Sequence, residues 1–189
     1  MNKEFLILQL HHIENAKRVN RLSVANLVIK NKELFPYLLE LVFEIENKTS
    51  IKAAWVLEFV CAERLNWLSP HLHYFTENIG KVTFDSAVRP ISKICEFIAK
   101  ASTSENNSLI KTELKKNHIK KMIEVGFDWL IGNQKVAVKV YAMEMLFLLG
   151  KNIDWVHQEL RLIIELNITK ESAAYKARGK KVLSLINKK

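Results

Sequence analysis

The sequence predicts an all-α fold, an α-solenoid of about five helical hairpins, and three observations carry that expectation. Apolar residues recur at helical spacing through almost the whole chain. Five glycines and three prolines in 189 residues are too few to turn the strands of a sandwich or barrel. The two halves of the chain also repeat one another about 87 residues apart, and a period in that range with two helices per unit marks a stack of helix pairs. With 49% apolar and 26% charged residues the chain has material for a core and lacks the composition of a disordered tail.

The elements follow in order. Apolar spacing predicts helices over 3–13 and 16–29. A third opens at Pro36, where the missing N–H falls in a turn that leaves it unpaired anyway, and runs to about 46. Thr49 or Ser50 starts a strongly apolar helix to 63, and Ser69-Pro70 starts another that ends near Gly80. Asp85 or Ser86 begins the next, through 101. Pro90 lies inside it, so this helix either kinks or starts at Pro90. Residues 102–108 (STSENNS) form a polar loop, and helices resume over 114–131, 134–149, 155–166 and 172–186. The expected pairs are 3–30, 34–64, 67–101, 112–150 and 154–188, in a single domain spanning 1–189.

The repeat is visible residue by residue. Ile51-Lys52-Ala53-Ala54-Trp55 aligns with Val138-Lys139-Val140-Tyr141-Ala142, and Asn66-Trp67-Leu68 with Asp154-Trp155-Val156. Asp85-Ser86-Ala87 aligns with Glu171-Ser172-Ala173, and Arg89 with Lys176. A two-helix unit cannot bury its own apolar stripe, so each unit must cover its neighbour. Residues 136–149 (VAVKVYAMEMLFLL) are apolar nearly all round, which places that helix deep in the stack. Residues 173–186 keep four cations beside a narrow apolar stripe and suit the C-terminal end, with one face in water.

These residues resemble the HEAT repeat family, whose units end a first helix near an Asp and open the second with Val-Arg. Asp85-Ser-Ala-Val88-Arg89 fits that turn closely, and Val138-Lys139 with Ala142, Met145 and Leu146 fits the second helix. Tyr175-Lys176 with Gly179, Val182 and Leu183 is a looser copy, and Ile51-Lys52 is looser again. The resemblance covers roughly 35–186 and implies a right-handed α-α superhelix.

The formal charge of +9 is concentrated in two places. Residues 110–121 carry Lys111, Lys115, Lys116, Lys120 and Lys121 against Glu113 alone; residues 170–189 carry seven basic residues, among them Lys176, Lys180 and Lys181, against Glu171 alone. Such patches attract acidic proteins or phosphates, or simply keep a surface solvated. Lys52, Arg89, Lys139 and Lys176 form a further ladder, one cation near the start of successive second helices. They either face an extended anionic partner or pair with acidic turn residues such as Asp85 and Glu171.

Catalytic signatures are missing. There is no HExxH, GxGxxG, phosphate-binding loop or GxSxG. His71 and His73 are two residues apart and sit on nearly opposite helix faces; His11-His12 has no acidic partner at ligand spacing. Cys61 and Cys95 lie among apolar residues and read as small buried hydrophobes. No metal and no cofactor is expected. No charge-free run is long enough to span a bilayer and no signal-peptide pattern opens the chain, so a cytosolic location is expected.

The expected function is that of a non-catalytic scaffold or adaptor that binds another macromolecule through its concave or basic surface. A protein partner is the first expectation, a nucleic acid held through the basic patches the second, and self-association is left open. The alternative comes from a narrower resemblance: some alkylpurine DNA glycosylases are built from HEAT-like repeats and hold a cationic base with a carboxylate and flanking tryptophans. Asn66-Trp67 and Asp154-Trp155 are repeat-equivalent, which favours packing, so Asp128 and Trp129 are the candidates that reading leaves.

Overall fold

Asn2 starts the first helix. Its side chain accepts the Phe5 N–H at 3.0 Å, and α1 runs over Lys3–His11. The structure, a computed structural model, describes residues 1–188, so Lys189 of the C-terminal basic cluster lies outside the described residues. Every regular element among them is helical. The chain divides into two compact units, Met1–Ile94 and Cys95–Lys189.

In the first unit α1 is followed by α2 (Arg18–Lys30), α3 (Phe35–Val42), α4 (Thr49–Arg64), α5 (Leu72–Asn78) and the start of α6 (Asp85–Thr103). The central helix is α4, which packs against α1, α2 and α3. It buries Ala53, Ala54, Val56, Leu57, Val60 and Cys61, and burial pushes the Cys61 thiol well above its usual range. Lys3 reaches from α1 to Glu40 and Glu44, at 3.1 and 2.9 Å.

Two prolines behave differently from the sequence expectation. Pro70 does not open an α-helix: it lies inside a 3-10 segment, Leu65–His71, and α5 begins only at Leu72. Proline supplies no N–H to an α-helical ladder and disfavours the helical region for the residue before it. Pro90, by contrast, sits within an unbroken α6. Its ring leaves the Ser86 carbonyl without the N–H that would normally come from four residues on. The indole Nε1 of Trp55, on α4, donates to that carbonyl at 2.9 Å.

The second unit takes over the end of α6 and adds α7 (Leu109–Glu113), α8 (Lys116–Ile131), α9 (Val136–Leu149), α10 (Asp154–Asn167) and α11 (Ala173–Ile186). The polar loop is shorter than expected, because the Ser102 and Thr103 hydroxyls donate to the Ala99 carbonyl at 2.9 and 3.0 Å and α6 continues to Thr103. The helix expected from 114 is split instead. Leu114 and Lys115 are extended, and His118 Nδ1 accepts the Lys115 N–H at 3.2 Å to start α8 afresh.

Helix α9 is the counterpart of α4, as the 87-residue alignment requires. It packs against α8, α10 and α11, and its buried side chains, Val138, Ala142, Met143, Met145, Leu146 and Phe147, point in several directions. Gly126 lets α8 approach closely, since a Cβ there would come within 3.0 Å of Leu146 Cδ2. Helix α11 is capped by Ser172, which accepts the Tyr175 N–H. It buries only Tyr175, Gly179 and Val182. No helix among the described residues is long and apolar enough to cross a membrane.

Candidate binding surface

The cation ladder is largely occupied from within. Lys52 Nζ donates to the His11 carbonyl at 3.2 Å, at the end of α1. The Arg89 guanidinium is paired with Glu58 of α4, Nη2 to Oε2 at 2.6 Å and Nη1 to Oε1 at 3.4 Å. Lys139 pairs with Glu171 at 2.7 Å, both side chains being mostly buried. Arg178 of α11 is likewise held by Glu144 of α9. Lys176 is half-buried and has no ion pair among the described residues. Arg89 and Lys139 are thus matched to carboxylates of neighbouring helices, and Lys52 is tied to a helix-end carbonyl.

The lysines of 111–121 are placed differently. Lys116 and Lys120 are exposed on one face of α8, four residues apart and so neighbours. They line a groove of about 650 Å³ with Ile119, Ile123, Leu149, Ile153 and Trp155, and with Glu124 and Asn152 beside them. Lys120 lies 3.9 Å from Glu124, too exposed to be strongly held. Lys115 instead turns to the Thr112 carbonyl at 3.0 Å, Lys111 to the Ser104 carbonyl at 2.8 Å, and Lys121 to Glu124 at 3.6 Å. Lys111 and Lys151 border a second depression of about 350 Å³ that shares Ile119, Leu149 and Asn152 with the first. Lys180 and Lys181 are exposed on α11, away from these linings.

Trp155 corrects the packing expectation drawn from its repeat partner. Trp67 is half-buried edge-on against Phe35, with ring centroids 5.8 Å apart, and packs as expected. Trp155 is 56% exposed, stacked on Phe127. The cause is register: α10 buries Val156, His157, Leu160, Ile163 and Ile164, and Trp155 lies about 140° round the helix from the centre of that stripe. Leu162 and Leu166 follow it at helical spacing on the same exposed face and are 53% and 72% exposed. Glu159 is the polar residue on this face. The groove thus continues into an apolar strip along α10, which the sequence pattern did not single out.

Asp128 and Trp129 are not brought to one surface. Asp128 is exposed, whereas Trp129 is 4% exposed and part of the core. His71, whose ring is 5.9 Å from that of Phe35, has its pKa lowered by burial.

No curated protein and no solved structure matches the chain. A sequence profile described as a HEAT repeat domain matches residues 9–186. That span takes in both aligned halves and every helix from α2 to α11, and the all-α architecture agrees with it. The chain belongs to the HEAT repeat family.

Proposed function

We propose that this HEAT-repeat chain is a non-catalytic adaptor and that its second unit binds a protein segment that is apolar on one side and acidic at its edges. The observation that supports this reading is the exposed strip of Trp155, Leu162 and Leu166 running on from a groove rimmed by Lys116 and Lys120. Contiguous exposed apolar surface beside polar residues is characteristic of interaction sites. Trp is the side chain most enriched among residues that carry binding energy. Charge complementarity selects the occupant. The second unit carries seventeen basic and ten acidic side chains, and the two groove lysines would meet carboxylates flanking an apolar anchor. Helical-repeat proteins commonly use their stacked faces in this manner.

The test is selection of short acidic-apolar peptides against the full chain, followed by affinity measurement on the variants Trp155→Ala and Lys116→Glu/Lys120→Glu. Removing a central aromatic anchor should weaken binding by about 2 kcal/mol, some thirtyfold. Peptides that bind all three proteins equally would overturn the reading. Tighter binding of duplex DNA, with affinity falling steeply as salt rises, would favour a nucleic-acid partner instead, and base excision lost in Asp128→Asn would favour the glycosylase.

A further inference from the structure

A second charged site lies in the first unit and does not rest on the groove. Arg18 and Arg21 are three residues apart on α2, and their guanidinium carbons lie 5.2 and 5.3 Å from the centre of the Phe59 ring on α4. Arg21 also lies 5.8 Å from the Trp55 ring. Arg89 of α6 holds Glu58, the neighbour of Phe59 on α4, at 2.6 Å. Three guanidiniums from two helices, α2 and α6, therefore gather near one carboxylate and two aromatic faces of α4.

We propose that Arg18, Arg21 and Arg89 bind the phosphate monoester of a phosphorylated peptide. The charge is unbalanced. Arg21 is held below the usual arginine range, first by burial and then by the fields of Arg89 and Arg18; Glu58 is the carboxylate that opposes this. The Arg21 Nε is buried without a hydrogen-bond partner among the described residues. A buried unmet donor beside like charges is destabilising, and perturbed charges of this kind gather at functional sites. The fold does not demand it: in the second unit Lys139 and Arg178 each have their own carboxylate, Glu171 and Glu144.

The chemistry of the ligand follows from the donors. Guanidinium forks match phosphate oxygens in pairs, and the dianion offers three acceptor oxygens for several forks at once. The aromatic faces hold the guanidiniums in place beforehand, which lowers the entropy cost of binding. The cluster remains reachable, with Arg18 exposed and Arg21, Trp55, Phe59 and Arg89 half-buried. A polynucleotide backbone needs cations spread along successive phosphates, yet the first unit as a whole is nearly neutral, with twelve basic and ten acidic side chains. One compact anion on an otherwise uncharged segment suits it better.

The experiment titrates the full chain with a glycine-alanine peptide carrying one central phosphoserine, following the arginine Nε–H resonances by NMR. Saturable binding is expected, with the Arg21 Nε–H moving most and no binding of the unphosphorylated peptide. Arg21→Lys keeps the charge but lacks the fork, and should weaken binding at least about tenfold. Glu58→Gln removes the competing carboxylate and should tighten it. Thermal melts identify variants that remain folded. Equal affinity of the wild type and the folded Arg21→Lys protein would overturn the proposal, as would single-stranded DNA binding the cluster more tightly than the phosphopeptide.

Discussion

The Trp55–Ser86 hydrogen bond is a side chain doing what a backbone N–H cannot do beside a proline, and it has a measurable consequence. Pro90 deprives the Ser86 carbonyl of its helical donor, and the Trp55 indole supplies one at 2.9 Å. A neutral hydrogen bond of this type contributes about 1 kcal/mol net. Trp55→Phe removes the donor and should destabilise the protein by about 1–2 kcal/mol, including the lost indole contact. Pro90→Ala restores a backbone N–H at position 90, which can satisfy Ser86 directly. In that background Trp55→Phe should lose only the contact, so the two substitutions should couple by about 1 kcal/mol. Urea denaturation of the four proteins measures the coupling, with a constant m value as the control on the unfolded state. A coupling below about 0.3 kcal/mol would mean that the Ser86 carbonyl does not depend on the indole.

Three other outcomes follow from side chains whose surroundings are specified. The Tyr175 hydroxyl is buried without a partner among the described residues, so Tyr175→Phe should raise stability by about 1 kcal/mol in thermal or urea melts. Burial, with the Glu171 field behind it, pushes the Tyr175 phenol up to about 12. The unfolded chain ionises first, so wild-type stability should fall as pH rises above about 10, and less so in Tyr175→Phe. His71 has its pKa lowered by burial. The unfolded chain therefore takes the proton first, and stability should drop as pH falls below about 6.5, with a smaller drop in His71→Gln. For the Lys139–Glu171 pair, 15% and 24% exposed, each single alanine substitution should cost about 1–2 kcal/mol, and the double substitution less than their sum.

The helical architecture was legible because apolar spacing, scarce turn residues and an internal repeat all point the same way. The alignment of Ile51-Lys52 with Val138-Lys139 identified α4 and α9 as counterparts, and each packs against three helices of its unit. Glu171 was legible as an acidic turn residue available to the cation ladder, but that Lys139 is the cation it takes was not. What escaped depended on groups brought together by tertiary packing. Arg89 turns to Glu58, a residue 31 positions away on α4 that no motif marks. Trp155 looked equivalent to Trp67, yet Phe35 covers one while the other stacks on Phe127 at the surface. The break between α7 and α8 hinges on a histidine nitrogen accepting a backbone N–H, a local competition that apolar spacing does not record.

The acidic-apolar segment is assigned to the α8–α10 surface of the second unit and not to the ladder of Lys52, Arg89, Lys139 and Lys176. Amide hydrogen exchange of the full chain, with and without the tightest acidic-apolar peptide, tests that assignment most directly. Protection confined to residues 116–124 and 152–166 is the expected result. Protection centred instead on the helices that carry Lys52, Arg89 and Lys176, with the α8–α10 surface unchanged, would place the binding surface on the cation ladder.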